Sequence, residues 1–327
     1  MLQISMQIGG YQMRSSLLPI VLRYVDQVAR SGSIQGAAKE LHVAASAINR
    51  QILQLEDELG VPLFERVPRG MRLTASGDSI VTLARRWRND ERRAASDIRQ
   101  LQGINQGHVT IAAMDSHSSS FLPGLVREIT DTHPKLSLSI EIGSTDEGLA
   151  ALMSGKADVA AVFNPAPRRD LHVVWSSELP FGCIVAPGHP LAQAKTVSLQ
   201  EVCSYPVALQ SKSLQIRRYL ESHYSWLLTE TQSRVETNSL QLVKMLVKSG
   251  GHVAFTSELD AASEIALGSL VFVPVRDKGV ESQTVSLVID AGKPLSLIVK
   301  LVSDLLVKHI QGCLDAARPP AVCKPAG

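Results

Sequence analysis

Cysteine is scarce in this chain and falls in no motif spacing. Cys183, Cys203, Cys313 and Cys323 are scattered without a C-x-x-C pair. That excludes a zinc ribbon and a disulfide frame, so the thiols are expected to be reduced and mostly packed. No apolar run approaches the ~20 residues of a membrane span. The opening MLQISMQIGGYQMRSS lacks the charged and apolar regions of a secretion signal. A cytoplasmic protein without a membrane partner is therefore expected. Catalytic signatures are missing too: there is no G-x-S-x-G elbow, phosphate-binding G-x-x-x-x-G-K-[ST] loop, G-x-G-x-x-G after a strand, or H-E-x-x-H. The nine histidines do not cluster with cysteines or carboxylates at metal-ligand spacing. His117 lies in a Ser-rich stretch, but no partner carboxylate indicates a nucleophilic triad. No catalytic residue, metal site or cofactor is expected, and the protein is read as a non-enzyme.

The chain has 327 residues, 45% hydrophobic and 20% charged, which fits two or three ordinary globular domains. Its net charge of +2 is small but unevenly spread. Residues 1–106 hold 14 Lys and Arg against 10 Asp and Glu, and residues 107–327 hold 19 against 21. A basic front suits a polyanionic partner; the excess is slight and carries little alone.

The segment Leu17–Thr74 carries the clearest pattern. Leu17, Val21, Tyr24, Val25 and Val28 form one apolar stripe of a first helix, with Ser16 as its expected N-cap and Pro19 in its first turn. Gly32 stops that helix and Ser33 can cap the next, Ile34–Leu41, where Ala37 and Ala38 allow close helix crossing. His42-Val43 makes a turn. A further helix, roughly Ala45 to Gln54, turns Ile48, Ile52 and Leu55 inward and leaves Ala45, Ser46, Asn49 and Arg50 outward. An Arg-rich loop from Phe64 to Leu73 follows. This is the layout of a winged helix-turn-helix, whose second helix enters the DNA major groove. Asn49 can bridge N6 and N7 of adenine, and Arg50 can grip guanine or phosphate. Arg66, Arg69 and Arg72 in the wing suit the phosphate backbone or a narrow minor groove. In isolation each would read as a solvated surface charge; the layout favours DNA contact.

These residues resemble the N-terminal domain of the LysR-type transcriptional regulators nearly end to end. The match runs through Arg23-Tyr24, Ser33, Ala37-Ala38, Leu41, Asn49-Arg50-Gln51-Ile52, Leu55-Glu56, Leu59-Gly60, Leu63-Phe64, Arg66 and Leu73-Thr74. Ser33 and Gln35 are expected among the DNA contacts as well. Ala45 and Ser46 depart from the Gln-Pro pair common at the start of that helix in the family, so specificity would rest more on Asn49, Arg50 and DNA shape.

From Thr74 to about Gln102 a long helix is expected. Ile80, Leu83, Trp87, Ala94, Ile98 and Leu101 fall near a heptad, broken by polar residues around Asp90, with Arg85, Arg86, Arg88, Arg92 and Arg93 elsewhere. So narrow a stripe on a long helix calls for a partner, most simply a second copy. The resemblance agrees, implying a homodimer or a tetramer of two dimers.

Beyond Gly107 the pattern changes to short β runs (VTIAA, LSLSIEI, DVAAVF, FGCIVAP, PVALQ, HVAFT, LVFVPV, TVSLVI) separated by helical lengths, which argues for α/β units with parallel strands. The resemblance continues more weakly through Phe121-Leu122-Pro123, Gly155-Lys156-Ala157-Asp158-Val159, Gly188-His189-Pro190-Leu191 and Gly250-Gly251-His252-Val253-Ala254. It implies two lobes with a cleft between them, like a periplasmic solute-binding protein. Ligands bind beyond the carboxyl ends of strands. That rule points to Ser116, His117, Ser118, Ser144, Thr145, Phe163, Asn164 and Gln210; the resemblance favours Ser116, His117, Thr145 and Gln210. Helix caps and turns are the plainer reading of each residue, and convergence of four strand ends is what raises the site. His117 could equally be a pH-sensitive side chain.

The expected architecture is thus a mixed α/β chain: an N-terminal extension (1–16), a winged helix-turn-helix (17–73), a linker helix and hinge (74–106), a two-lobed effector domain (107–312; lobe I 107–179 and 282–312, lobe II 180–281) and a loose tail (313–327). The expected function is a sequence-specific DNA-binding regulator controlled by a small molecule, such as an anion or carboxylate, with operator DNA and RNA polymerase as partners. A ligand-independent architectural DNA-binding protein is the alternative.

Overall fold

The computed structural model describes residues 6–8, 11–13, 17–68, 70–101, 107–212, 214–231 and 235–318. Its contacts divide into two units, residues 1–104 with 154–156, and the remainder.

In the first unit, strands β1 (Met6–Ile8) and β2 (Tyr11–Met13) pair as an antiparallel hairpin within the expected N-terminal extension. Two short runs around Gly9-Gly10 are a hairpin signal. Helix α1 (Ile20–Ser31) begins later than expected: Pro19 is its N-cap residue, without a side-chain cap, and Leu17 is 79% exposed. Ser16, the expected cap, lies outside the described residues. Instead Leu18 and Leu22 are buried with Ala84, while Tyr24, Val25 and Val28 face the main core. Gly32, at φ 68°, ends α1 and donates its N–H to Val28 O. Ser33 then caps α2 (Ile34–Leu41) by accepting from Gly36 N–H. His42 adopts φ 55°, a left-handed turn rarely taken without glycine. Helix α3 (Ala45–Leu59) runs a turn longer than expected, to Gly60.

The wing is a two-stranded hairpin, β3 (Phe64–Val67) and β4 (Gly70–Leu73). Glu56 near the end of α3 fixes its root by accepting from Leu63 N–H (2.6 Å) and Phe64 N–H (3.1 Å). Gly70 is required at its tip side: at φ 128° it lies so close to Gly32 that a Cβ would fall 2.3 Å from Gly32 O. Gly77 in α4 (Ala75–Leu101) meets the same limit, 2.0 Å from Leu63 O, which accounts for a glycine inside a helix.

The second unit has two sheets. The larger orders its strands β6-β5-β7-β14-β8, from β5 (Gly107–Ala113), β6 (Leu136–Ile142), β7 (Val159–Phe163), β8 (Leu171–Leu179) and β14 (Gln283–Asp290). Strands β5, β6 and β7 are parallel, but β14 runs antiparallel to both neighbours, so the all-parallel expectation holds for only part of the sheet. One face buries Ile111, Val285 and Leu287 under α5 (Leu122–Thr132) and α12 (Leu297–Ala317). The other packs Ala112, Ala160 and Val162 on Leu149 and Leu152 of α6 (Thr145–Met153). Cys313–Ala317, expected in a loose tail, are the last turns of α12, with Leu314 buried.

The smaller sheet is antiparallel, with β9 (Phe181–Val185) between β12 (Ala254–Ser257) and β13 (Val271–Pro274). A parallel pair, β10 (Ala208–Gln210) with β11 (Val235–Thr237), joins it through a Val207–Val253 bridge. Around them lie α7 (Leu199–Cys203), α8 (Gln215–His223), α9 (Ser225–Glu230), α10 (Leu240–Lys248) and α11 (Ala262–Ala266). The chain passes between lobes at Pro180, between β8 and β9, and returns through residues 275–282 into β14. Tyr219 and Tyr224 hold that return: their hydroxyls donate to Glu281 O (3.3 Å) and Gly279 O (2.9 Å).

Candidate functional site

On the first unit, Ile48 and Ile52 take the buried positions of α3, so Ser46 and Arg50 lie exposed and Asn49 half-buried at its N-terminal half. Ala45 is half-buried against the core, leaving only part of its surface outward. Gln35 is exposed on α2. Ser33 spends its hydroxyl on the α2 cap. Arg66 is exposed on β3. Arg72 is exposed but paired with Glu65 across the hairpin at 2.8 Å, which offsets part of its charge. Arg69 lies outside the described residues. Of the expected DNA contacts, Gln35, Ser46, Arg50 and Arg66 thus present exposed side chains and Asn49 a half-buried one.

The sequence reading missed Asp26. It is fully buried on α1 and accepts from Arg85 Nε (2.7 Å) and Arg88 (2.6 Å) on α4. Burial alone would raise its pKa; the hydrogen bonds and positive charge of Arg85 and Arg88 outweigh that and hold it below the usual carboxylate value. An Asp in an otherwise apolar helix face was the available signal.

In the second unit, a cleft of ≈480 Å³ opens between the two lobes, within the ~300–1,000 Å³ typical of small-molecule sites. One wall carries Met114, Asp115, Ser116, Ile142, Ser144, Glu147 and Phe163, and the other Gln210, Lys212, Leu214, Ile216, Arg218, Asn238, Leu240, Thr256 and Asp260. Gln283 sits where the chain re-enters the large sheet. Arg218 of α8 pairs with Asp146 of α6 at 2.9 Å, bridging the lobes. Glu147 Oε2 accepts from the Ser144 N–H and hydroxyl, which hold its carboxyl below the usual value. Asp260 Oδ2 accepts from Thr256 Oγ1 (2.8 Å) and Ser257 N–H (3.2 Å).

Four expected effector residues, Ser116, Ser144, Phe163 and Gln210, line this cleft. Four do not. His117 is fully buried; its ring sits 4.7 Å from Phe121 and 5.5 Å from Phe163, and Nδ1 accepts from Met114 N–H. Burial pushes its pKa down to about 3, so it is neutral across the ordinary range and no physiological pH sensor. Thr145 is buried beneath the wall, donating to Phe163 O at 3.1 Å. Asn164, at φ 45°, uses Oδ1 to accept from Thr284 N–H at 2.6 Å, stitching β7 to β14. Ser118 is exposed outside the cleft.

Gln283, Lys212, Arg218, Thr256 and Asp260 escaped the sequence reading. The strand-end rule looks only at carboxyl ends, and Gln283 begins its strand. Because β14 is antiparallel, its start lies at the carboxyl edge of β7, where Val285 pairs with Phe163. Across the lobes, Lys244 is 1% exposed and donates to Ser119 Oγ (2.8 Å) while pairing with Glu264 (3.0 Å), tying α10 to the loop that carries Ser116.

A family model described as the LysR substrate binding domain matches residues 102–311, and one described as the bacterial regulatory helix-turn-helix protein, lysR family, matches residues 21–78. The chain belongs to the LysR family. Among curated relatives of this LysR-type chain, the HTH-type transcriptional activator CmpR of Synechocystis sp. is 25% identical over 86% of this chain and 92% of its own. A probable nitrogen assimilation transcriptional activator of Synechococcus elongatus is 30% identical over 73% of this chain and 76% of its own. Of solved structures, a full-length OxyR variant from Pseudomonas aeruginosa has a TM-score of 0.64 at 23% identity, covering 93% of this chain and 98% of that one. Full-length CbnR complexed with its target DNA has a TM-score of 0.60 at 21% identity, covering 90% and 99%. The shared fold is that of a helix-turn-helix domain followed by a mixed α/β substrate-binding domain. This LysR-type chain is a DNA-binding transcriptional regulator with an effector-binding domain, of a kind that acts as an oligomer. Among the described residues no helix is long and apolar enough to cross a membrane.

Proposed function

We propose that this LysR-type regulator reads its operator with Ser46, Asn49 and Arg50 of α3, anchors the wing on phosphate through Arg66, and responds to a small-molecule effector bound between the lobes of its second unit. The observation that carries the effector reading is the cleft itself: three strand ends of the large sheet and the hinge-adjacent Gln283 face α8 and α10 across it. A ligand switches the protein only by differential affinity for two lobe arrangements. The protein is read as a non-enzyme working in the cytoplasm. The dimer seam is assigned to α4, where Leu83, Trp87, Ala94 and Ile98 are exposed at heptad-like spacing.

The test is a thermal-shift screen of the full chain against small organic acids, amino acids, aromatics and inorganic anions, followed by DNA footprinting with each hit. A ligand at 100 times its Kd adds about 2.7 kcal/mol. A hit that also changes the footprint supports the reading; an unchanged footprint with every hit favours a ligand-independent architectural protein.

A further inference from the structure

The cleft contains a buried polar group that has no partner among the described residues. Gln283 is 3% exposed, yet its Nε2 makes no hydrogen bond among the described residues. A buried donor left unpaired is costly, and a bound acceptor recovers that cost. The facing wall is formed by the start of α8. Among the described residues no side chain caps this nine-residue helix; its N-cap is Leu214, and Leu214 and Ile216 both line the cleft. Lys212 precedes this helix end and Arg218 lies in its first turns, so the first-turn backbone N–H groups, the helix dipole and two cations favour negative charge there. Two of the cleft's three acids are engaged locally, Glu147 by Ser144 and Asp260 by Thr256 and Ser257. The third, Asp115, is exposed. The cations are held by exposed pairs, Arg218 with Asp146 and Lys212 with Glu221 (3.3 Å), which an incoming anion can displace.

We infer that the effector is a small organic anion bearing a second hydrogen-bond acceptor: its carboxylate sits at the start of α8 between Lys212 and Arg218, and its other oxygen accepts from Gln283 Nε2. This rests on the reading of the cleft as the effector site. The carbon skeleton lies against Ile142, Leu214 and Leu240. Because Arg218 also bridges to Asp146 of the other lobe, a ligand carboxylate competes for one of the contacts that join the lobes, coupling occupancy to their arrangement.

The experiment is titration of the full chain with matched acids and amides, succinate against succinamide and benzoate against benzamide, read by calorimetry and thermal shift. Four proteins are compared: the unaltered chain, Gln283→Leu, Gln283→Glu and Ile142→Trp, the last filling the mouth from a half-exposed position. Retained DNA binding and circular dichroism check folding. The acids should bind and their amides should not. Gln283→Leu should weaken the acids by about tenfold, and Gln283→Glu, which keeps the size but adds negative charge, should abolish their binding. An amide that binds as well as its acid, acid binding unaffected by both Gln283 variants, or no binding by either acid at its highest soluble concentration overturns the inference. If an amide binds and Ile142→Trp abolishes it, the cleft reading stands and only the anion assignment fails. Binding that survives Ile142→Trp unchanged defeats the cleft reading itself.

Discussion

Asn49 owes its place on the outer side of α3 to its neighbours: Ile48 and Ile52 are buried one residue before it and three after it. Asn49→Ala is expected to cost about 1–3 kcal/mol of discrimination at particular base pairs, checked by binding to single-base operator variants. Arg66→Ala should instead weaken all sequences alike and lower the salt slope by about 1. Within the second unit, His117 gives a pH signature. Its folded pKa is depressed to about 3 from an ordinary 6.5, so the unfolded chain binds the proton first as pH falls. Stability is full above 6.5 and declines below it at up to about 1.4 kcal/mol per pH unit. In His117→Asn, whose amide can still accept from Met114 N–H, melting curves between pH 7 and 5 should lose that slope.

Helix α4 has one face packed on α1 and another left exposed. Its N-terminal half docks on α1 through Val81, Ala84 and the Asp26–Arg85–Arg88 clamp, whereas Leu83, Trp87, Ala94 and Ile98 remain exposed. Asp26→Ala leaves two arginines facing a buried gap and should destabilise the first unit by about 3 kcal/mol in chemical denaturation. The Asp26 carboxyl titrates below its ordinary value, so the clamp's contribution is intact above about pH 4 and is lost as pH falls further. Trp87→Glu should shift the protein toward monomer in analytical ultracentrifugation without changing its helical content.

At this scale the sequence was readable where a local rule sufficed. Gly32 and Ser33 set the α1–α2 break by conformation and capping. The heptad-like stripe of α4 was visible as well, but the arginines beside it showed no sign of their partner, because Asp26 lies 59 residues away from Arg85. Strand β8, LHVVWSSEL, was missed because it lies at the sheet edge with a largely half-exposed, irregular pattern. Nothing local fixes the direction of β14, and with that direction went Gln283, the most buried unsatisfied donor of the cleft wall. His117 and Thr145 were placed in the right neighbourhood, but which way a side chain turns beneath a strand end depends on packing from Phe121 and Phe163.

For the whole molecule, the division of labour follows from composition and contacts together. The basic front builds a small helical core with its polar residues outward on α3 and the wing, and the rear invests its apolar residues in two sheets with a cleft between lobes. Control of transcription requires that the two functions be linked, but every part of the account presupposes that the front unit selects a sequence. The most direct test is enrichment of genomic fragments by the purified full chain, followed by quantitative binding of the enriched and scrambled fragments by the unaltered protein and by Asn49→Ala. The account predicts a strong preference for the enriched fragments that Asn49→Ala erodes. Equal, weak binding to every fragment by both proteins would contradict it.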